Sequence, residues 1–260
     1  MESVVFVHLM GGIGNQLFQY AAGMLQVKIT SGKLYLEKAV ENNHDTADYR
    51  DILFTLGEKY DSQLPYHISH YQENSLAYWN PHDYKYPILL LYGYFQNYRS
   101  LKPILPEFKN SILENLKYKR EYVVNKYKIS FGSAFIHVRR GDYLKYNAQL
   151  TNTKYYTDGI DNISSNHMIR TWYILSDDME WCKTSGLFDS INKVYVEDSD
   201  PVICLALMSE IKDAAIIANS TFSWMGAYLG CGTKPNSVIY PKIWIHGGTP
   251  DLFPEEWIGL

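Results

Sequence analysis

The stretch that decides the fold is "SAFIHVRRGDYLKY", Ser133 to Tyr146. Its first half is an apolar run, Ala134-Phe135-Ile136, of the kind that forms a strand buried on both faces. Two arginines, a glycine and an aspartate follow directly after His137-Val138. Open parallel sheets bind ligands outside the carboxyl ends of their strands, so charge at this point suggests a ligand loop. If strand geometry persists, Arg139 and Arg140 point to opposite sides. One is then placed to hold a diphosphate as a bidentate donor. The other pairs with Asp142 or with a carboxylate at a neighbouring strand end.

The same pattern repeats along the second half of the chain. Strands are expected at Ser133–Val138, Thr171–Ser176, Lys193–Glu197, Ala214–Ala218 and Ser237–Tyr240. Helical stretches lie between them, near 153–164, 178–185, 201–212 and 221–229. Strands alternating with helices mean βαβ units and a parallel sheet. The first half opens the same way, with a buried strand Val4–Met10, a helix from Leu17 to Val27 and a strand Lys33–Glu37. Residues 40–85 show weak periodicity, and no element is assigned there. "PILLLYGYFQNYRSL" gives a strand, a loop and a helix start, and 106–128 reads as one long polar helix with Pro106 near its start. The expected division is near residue 130, giving domains 1–130 and 131–260.

With 260 residues, 46% of them hydrophobic, the chain is long enough for two cores of this size. A net charge of −4 argues against nucleic acid held by a global positive field, so any anion site is local. The odd number of cysteines, Cys182, Cys204 and Cys231, and their apolar settings indicate reduced thiols rather than a disulfide framework. "MESVVFVHLMGG" lacks a basic leader region, and no segment reaches the ~20 apolar residues that span a bilayer. The expected location is cytoplasmic, at most peripheral at the inner face of a membrane.

Other motifs carry chemistry. "GGIGNQLFQYAAG", residues 11–23, places glycines between the first strand and first helix, where backbone approaches an anionic ligand. Gly12 and Gly14 fit the dinucleotide fingerprint, but Leu17 stands where its third glycine belongs. Asn15 and Gln16 add polar contacts at the helix start. In "YILSDDMEW", Asp177 and Asp178 end a strand and open a helix; either a guanine edge or simple capping accounts for them. In "NSTFSWMGAYLG", Ser220, Thr221 and Ser223 surround a helix start suited to an anion. Asp198-Ser199-Asp200 spells a D-x-D metal pattern, yet Pro201 follows, so Asp200 as helix cap explains it locally. His67 and His70 have no evident metal partner and are taken as surface or packing residues.

These motifs, in this order from residue 5 to about 245, resemble the α-1,2-fucosyltransferases (glycosyltransferase family 11), within the wider α-1,2, α-1,6 and protein O-fucosyltransferase set. The resemblance implies an α/β GT-B fold, two Rossmann-like domains facing a cleft. It implies inverting, metal-independent transfer of L-fucose from GDP-β-L-fucose to the 2-hydroxyl of a terminal galactose. By the same resemblance Arg139 is the donor-phosphate ligand, His137 a nucleotide contact, and Asp177 or Asp178 the guanine reader. Ser223 and its neighbours Ser220 and Thr221 form the phosphate cradle, and Gly12, Gly14 and Asn15 approach the donor from the other domain. The α-1,6 branch has a glutamate base after the arginine motif; here Lys145-Tyr146-Asn147 stands there, and Asp142 is the nearest carboxylate. Acceptor contacts are expected among Tyr49, Tyr66, Tyr71, Tyr78 and Trp79, by domain position. Two other readings stay open, a GT-B transferase using another sugar nucleotide and a non-catalytic glycan-binding protein of the same fold.

Overall fold

The structure, a computed structural model, describes residues 3–40, 48–73, 78–145, 152–244 and 251–260. The chain forms two compact units. One runs to Leu116 and takes in 251–253; the other begins at Lys117 and takes in 254–260.

The first unit contains β1 (Val4–Met10), α1 (Ile13–Thr30), β2 (Lys33–Val40), β3 (Glu58–Tyr60), β4 (Ser69–Gln72), β5 (Ile88–Tyr92), α2 (Tyr98–Leu101) and α3 (Leu105–Asn115). Its five strands are all parallel, in the order β3-β2-β1-β5-β4. Alternate residues Val5, Val7, Leu34, Leu36, Leu89 and Leu91 are buried, as a parallel sheet requires on a packed face. Helix α1 packs on β1 and β2 and also touches α2 and α3, which is why it is buried nearly all round. β3 and β4 are only three and four residues long, too short to leave a period in the 40–85 sequence.

The second unit contains α4 (Lys117–Tyr127), β6 (Ser133–Val138), α5 (Gly141–Lys145), α6 (Thr153–Asn166), β7 (Thr171–Ser176), α7 (Met179–Thr184), β8 (Lys193–Tyr195), α8 (Pro201–Glu210), β9 (Ala214–Ile216), α9 (Thr221–Gly230), β10 (Val238–Tyr240) and β11 (Ile258–Gly259). Six parallel strands run in the order β11-β10-β9-β6-β7-β8. Counted from β6, this is the doubly wound order 6-5-4-1-2-3. Strand order reverses between β6 and β9, and that crevice is where such sheets bind ligands. β6 is buried along its whole length, as the opening stretch requires.

Two expectations change. The helix expected over 106–128 is two helices separated at Leu116, which is fully buried and ends α3. α4 then packs on α8, so it belongs with the second unit and not, as the expected division near 130 had it, with the first. Its sequence hides this, because Val123 is its single buried residue and it has almost no apolar stripe.

α8 and α9 pack close together. A Cβ at Gly230 would lie 2.4 Å from the Ile211 carbonyl oxygen and 2.5 Å from that of Met208. Backbone cannot yield as a side-chain tip can, so Gly230→Ala is expected to destabilise the protein by about 1–3 kcal/mol. Urea unfolding measures this, and an unchanged midpoint would contradict the close crossing.

Candidate active site

The chain leaves β6 at Val138 into a loop that is held from the side by the end of β7. Asp177 lies just past β7. Its Oδ1 accepts the Arg140 backbone N–H at 2.8 Å, and its Oδ2 lies 3.1 Å from Arg139 Nε. Asp178 pairs through Oδ2 with Arg140 Nε at 3.0 Å and caps α7 by accepting the Trp181 N–H at 3.2 Å. The Arg140 guanidinium also stacks over Trp181, 4.0 Å from the ring centroid. All four charged side chains are partly exposed, so each pair contributes modestly to stability, about 1 kcal/mol or less. Their main effect is on geometry. Gly141 is part of that geometry, since a Cβ there would stand 2.8 Å from Asp177 Oδ2.

The loop then turns into α5 and reaches across the crevice. Tyr143 Oη donates to the Asn219 carbonyl, just past β9, at 3.0 Å, and its ring lies 5.3 Å from the Arg139 guanidinium. Beyond Asn219, α9 begins. Its N-cap Ser220 makes no side-chain cap bond, and Ser223 Oγ, fully buried, donates to the Ser220 carbonyl at 3.2 Å. Thus Arg139 and the positive end of the α9 dipole belong to the two strands that flank the switch point.

His137, the penultimate residue of β6, is 4% exposed. Burial, and secondarily the neighbouring Arg139 charge, lower its pKa to about 3, so the ring is neutral at physiological pH. Its Nδ1 is buried and has no hydrogen-bond partner among the described residues, and its ring meets Phe222 of α9 edge-on at 5.6 Å. Two tyrosines of α6 brace the same edge from below. Tyr156 Oη donates to the His137 carbonyl at 3.3 Å, and Tyr155 Oη to the Ile217 carbonyl at 2.6 Å. Sequence reasoning missed Tyr143, Tyr155 and Tyr156. The signal was weak: "KYYTDG" at a helix start looks like any amphipathic face in a chain with 23 tyrosines.

The structure therefore brings His137, Arg139, Asp177, Asp178, Ser220, Thr221 and Ser223 to one sheet edge. It gives Asp177 and Asp178 arginine partners, and it turns the Ser223 hydroxyl inward. Asp142 is the second residue of α5 by its backbone; its side chain lies outside the described residues. Gly12, Gly14 and Asn15 sit in the first unit, at the switch point between β1 and β5. There Asn15 Oδ1 accepts from Gln96 Nε2 at 3.0 Å, while a Cβ on Gly12 would meet open space.

The D-x-D carboxylates are both engaged within the fold. Asp198 accepts from Lys126 Nζ at 2.9 Å and Tyr127 Oη at 2.6 Å, and Asp200 caps α8 through the Val202 N–H at 2.7 Å. Of the aromatic residues expected at the acceptor, Tyr49 and Trp79 are buried. Tyr71 packs against Tyr84 at 4.4 Å and Trp79 at 6.0 Å, so these three are packing residues; Tyr66 and Tyr78 are exposed. The three cysteines are free thiols; burial raises Cys182 to about 11 and Cys204 to about 12, which leaves both unreactive at neutral pH.

A family model described as glycosyl transferase family 11 matches residues 2–260. An α-1,2-colitosyltransferase of Escherichia coli is 28% identical, over 99% of each chain. A galactoside α-(1,2)-fucosyltransferase 1 of Saimiri boliviensis boliviensis is 23% identical over 96% of this chain and 73% of that protein. Among solved structures, POFUT1 in complex with GDP-fucose superposes with a TM-score of 0.59 at 12% identity, over 92% of this chain and 98% of that one. That likeness shows the fold, α/β of the GT-B type, as the sequence led us to expect.

His137 gives a pH prediction. Its folded pKa lies below the unfolded value of about 6.5, so the unfolded state takes up a proton first as pH falls. Stability is therefore full above pH ~6.5 and is lost as pH drops toward 3, by about 2–3 kcal/mol between pH 6.5 and 4.5 from this group alone. Urea titrations of wild type and His137→Gln over that range measure it. The variant's slope is expected to be shallower, and equal slopes would show that the imidazole is not held neutral.

Proposed function

The chain belongs to glycosyl transferase family 11, and on that footing we propose that it transfers L-fucose from GDP-β-L-fucose, with inversion, to the 2-hydroxyl of a terminal β-galactose. One observation carries the assignment. Arg139, the α9 N-terminus and the buried Nδ1 of His137, which has no partner among the described residues, share one strand-end crevice, a chemistry suited to a nucleoside diphosphate.

Breaking the bond between sugar C1 and the phosphate oxygen leaves its electron pair on GDP. Fixed positive charge must meet it. Arg139 supplies a guanidinium held by Asp177 and flanked by Tyr143, so little reorganisation is needed when charge develops. The backbone N–H groups at the start of α9 add the helix dipole. A neutral His137 adds a polar contact without adding charge. Asp177 and Asp178 keep acceptor capacity beyond their arginine partners, because each carboxylate oxygen has two lone pairs, and either can read the donor edge of guanine. The proton of the attacking hydroxyl goes to Asp142, the one carboxylate between Arg139 and Lys145.

A second donor reading has its own support, the 28% identity to an α-1,2-colitosyltransferase. Fucosyl and colitosyl nucleotides offered in parallel with a galactose-terminated acceptor distinguish the two.

Arg139→Ala is expected to slow transfer from GDP-fucose about 100- to 1000-fold, the effect of removing one oxyanion-type donor. GDP release in a coupled assay reads the rate. Chelation with EDTA is expected to leave wild-type turnover unchanged; abolished turnover would refute the metal-independent mechanism.

A further inference from the structure

The first unit's sheet carries an unusual row. On the face opposite the packed one, the register aligns Glu37 of β2 with His8 of β1 and with Tyr60 of β3, and Gln72 of β4 with Tyr92 of β5. Tyr92 closes the row by laying its ring 5.0 Å from that of His8. His8 Nδ1 is hydrogen-bonded to Glu37 Oε2. Beneath the row, Phe6 stacks on Tyr35 at 5.4 Å and meets Tyr60 edge-on at 4.7 Å, giving an aromatic floor. Central strands of a parallel sheet are normally apolar on both faces, so packing alone does not account for these polar groups. The groups also reach the surface: His8 and Glu37 side chains are 16% and 22% exposed, and Tyr92 is 38% exposed.

A cavity of about 560 Å³ opens beside the row, with Glu37 and Tyr60 in its wall. That is within the usual ~300–1,000 Å³ of small-ligand sites. The wall is rigid. The Arg50 side chain, 3% exposed, binds Asp48 through Nε at 2.9 Å and Nη2 at 2.8 Å, and Asp61 through Nη1 at 2.6 Å. The Arg50 hydrogen bonds hold the Asp48 carboxyl down at about 2. Among the described lining residues the charges cancel, with Glu37, Asp48 and Asp61 against Lys38, Arg50 and Lys59. A balanced lining of fixed acceptors and donors does not select an anion such as phosphate. Together with ring faces, it suits a neutral polyol, whose C–H faces stack on aromatics and whose hydroxyls need both donors and acceptors.

We propose that this surface, centred on Glu37, His8, Tyr60 and Tyr92, is a saccharide-binding site that seats the acceptor glycan. Its assignment to the acceptor rests on the transferase reading above. Glu37 accepts sugar hydroxyls and orients His8, and the tyrosine rings take the apolar sugar face.

The test uses the full chain and lactose as probe, in two measurements. Saturation-transfer NMR reads lactose binding without donor, and a transfer assay reads the acceptor KM. Glu37→Gln and Tyr92→Ala are expected to weaken lactose binding and raise KM roughly tenfold, the loss of one good hydrogen bond or stack. The affinity for GDP, titrated separately, is expected to stay constant, which also reports that the variants are folded. Absent lactose binding by the wild type, or binding and KM that ignore both substitutions, would overturn the site. Failure of the transferase reading looks different: lactose binds in a Glu37-dependent way, but the protein turns over no nucleotide sugar.

Discussion

The second unit is organised by a cross-tie between two adjacent strand ends. Arg139 and Arg140 follow β6, and Asp177 and Asp178 follow β7; each arginine takes one aspartate, and Asp177 also binds the Arg140 amide. The energy of such partly exposed pairs is small. Their value is that they fix a loop that would otherwise sample many conformations, each immobilised residue opposing about 1–2 kcal/mol of backbone entropy. Once that loop is fixed, Gly141 lets it pass Asp177, Tyr143 reaches Asn219, and Arg139 is held on the crevice between β6 and β9.

The crevice itself is a consequence of topology. A parallel sheet wound both ways from β6 leaves a gap at the reversal, with the carboxyl ends of β6 and β9 on its two sides. One side contributes a guanidinium and the other a helix N-terminus. Below them, burial keeps His137 neutral, and Tyr155 and Tyr156 hold the strand-end carbonyls. The first unit is wound differently, with β4 at the far edge and β5 returning to lie beside β1, yet its strand order also reverses between β1 and β5, where the glycine turn and Asn15 stand. The difference in lining follows from the sequence after the first strand of each unit, "GGIGNQ" in one and "RRGDY" in the other.

Much of this was legible before the structure. Ser133–Val138 and Thr171–Ser176 coincide with β6 and β7, because long apolar runs bounded by charge leave little choice of element. Asp200 before Pro201 read correctly as a helix cap for a local reason, one side chain reaching one amide. Pairing was harder to read. Whether Asp178 caps a helix or meets a ligand looked like an alternative, yet it caps α7 with one oxygen and holds Arg140 with the other. Long-range partners such as Tyr143 with Asn219 leave no local trace. Nor does the His8–Glu37 row, which depends on strand register, or the burial of Trp79, which depends on Tyr71 and Phe95 arriving from two other segments.

The most direct test is to locate GDP in a crystal structure of the complex. The account places the diphosphate within hydrogen-bonding distance of Arg139 and the first backbone amides of α9, with the nucleoside against His137 and the Asp177–Asp178 turn. A diphosphate bound instead at the glycine turn after β1, with Arg139 still closed on Asp177 and no contact to α9, would contradict it.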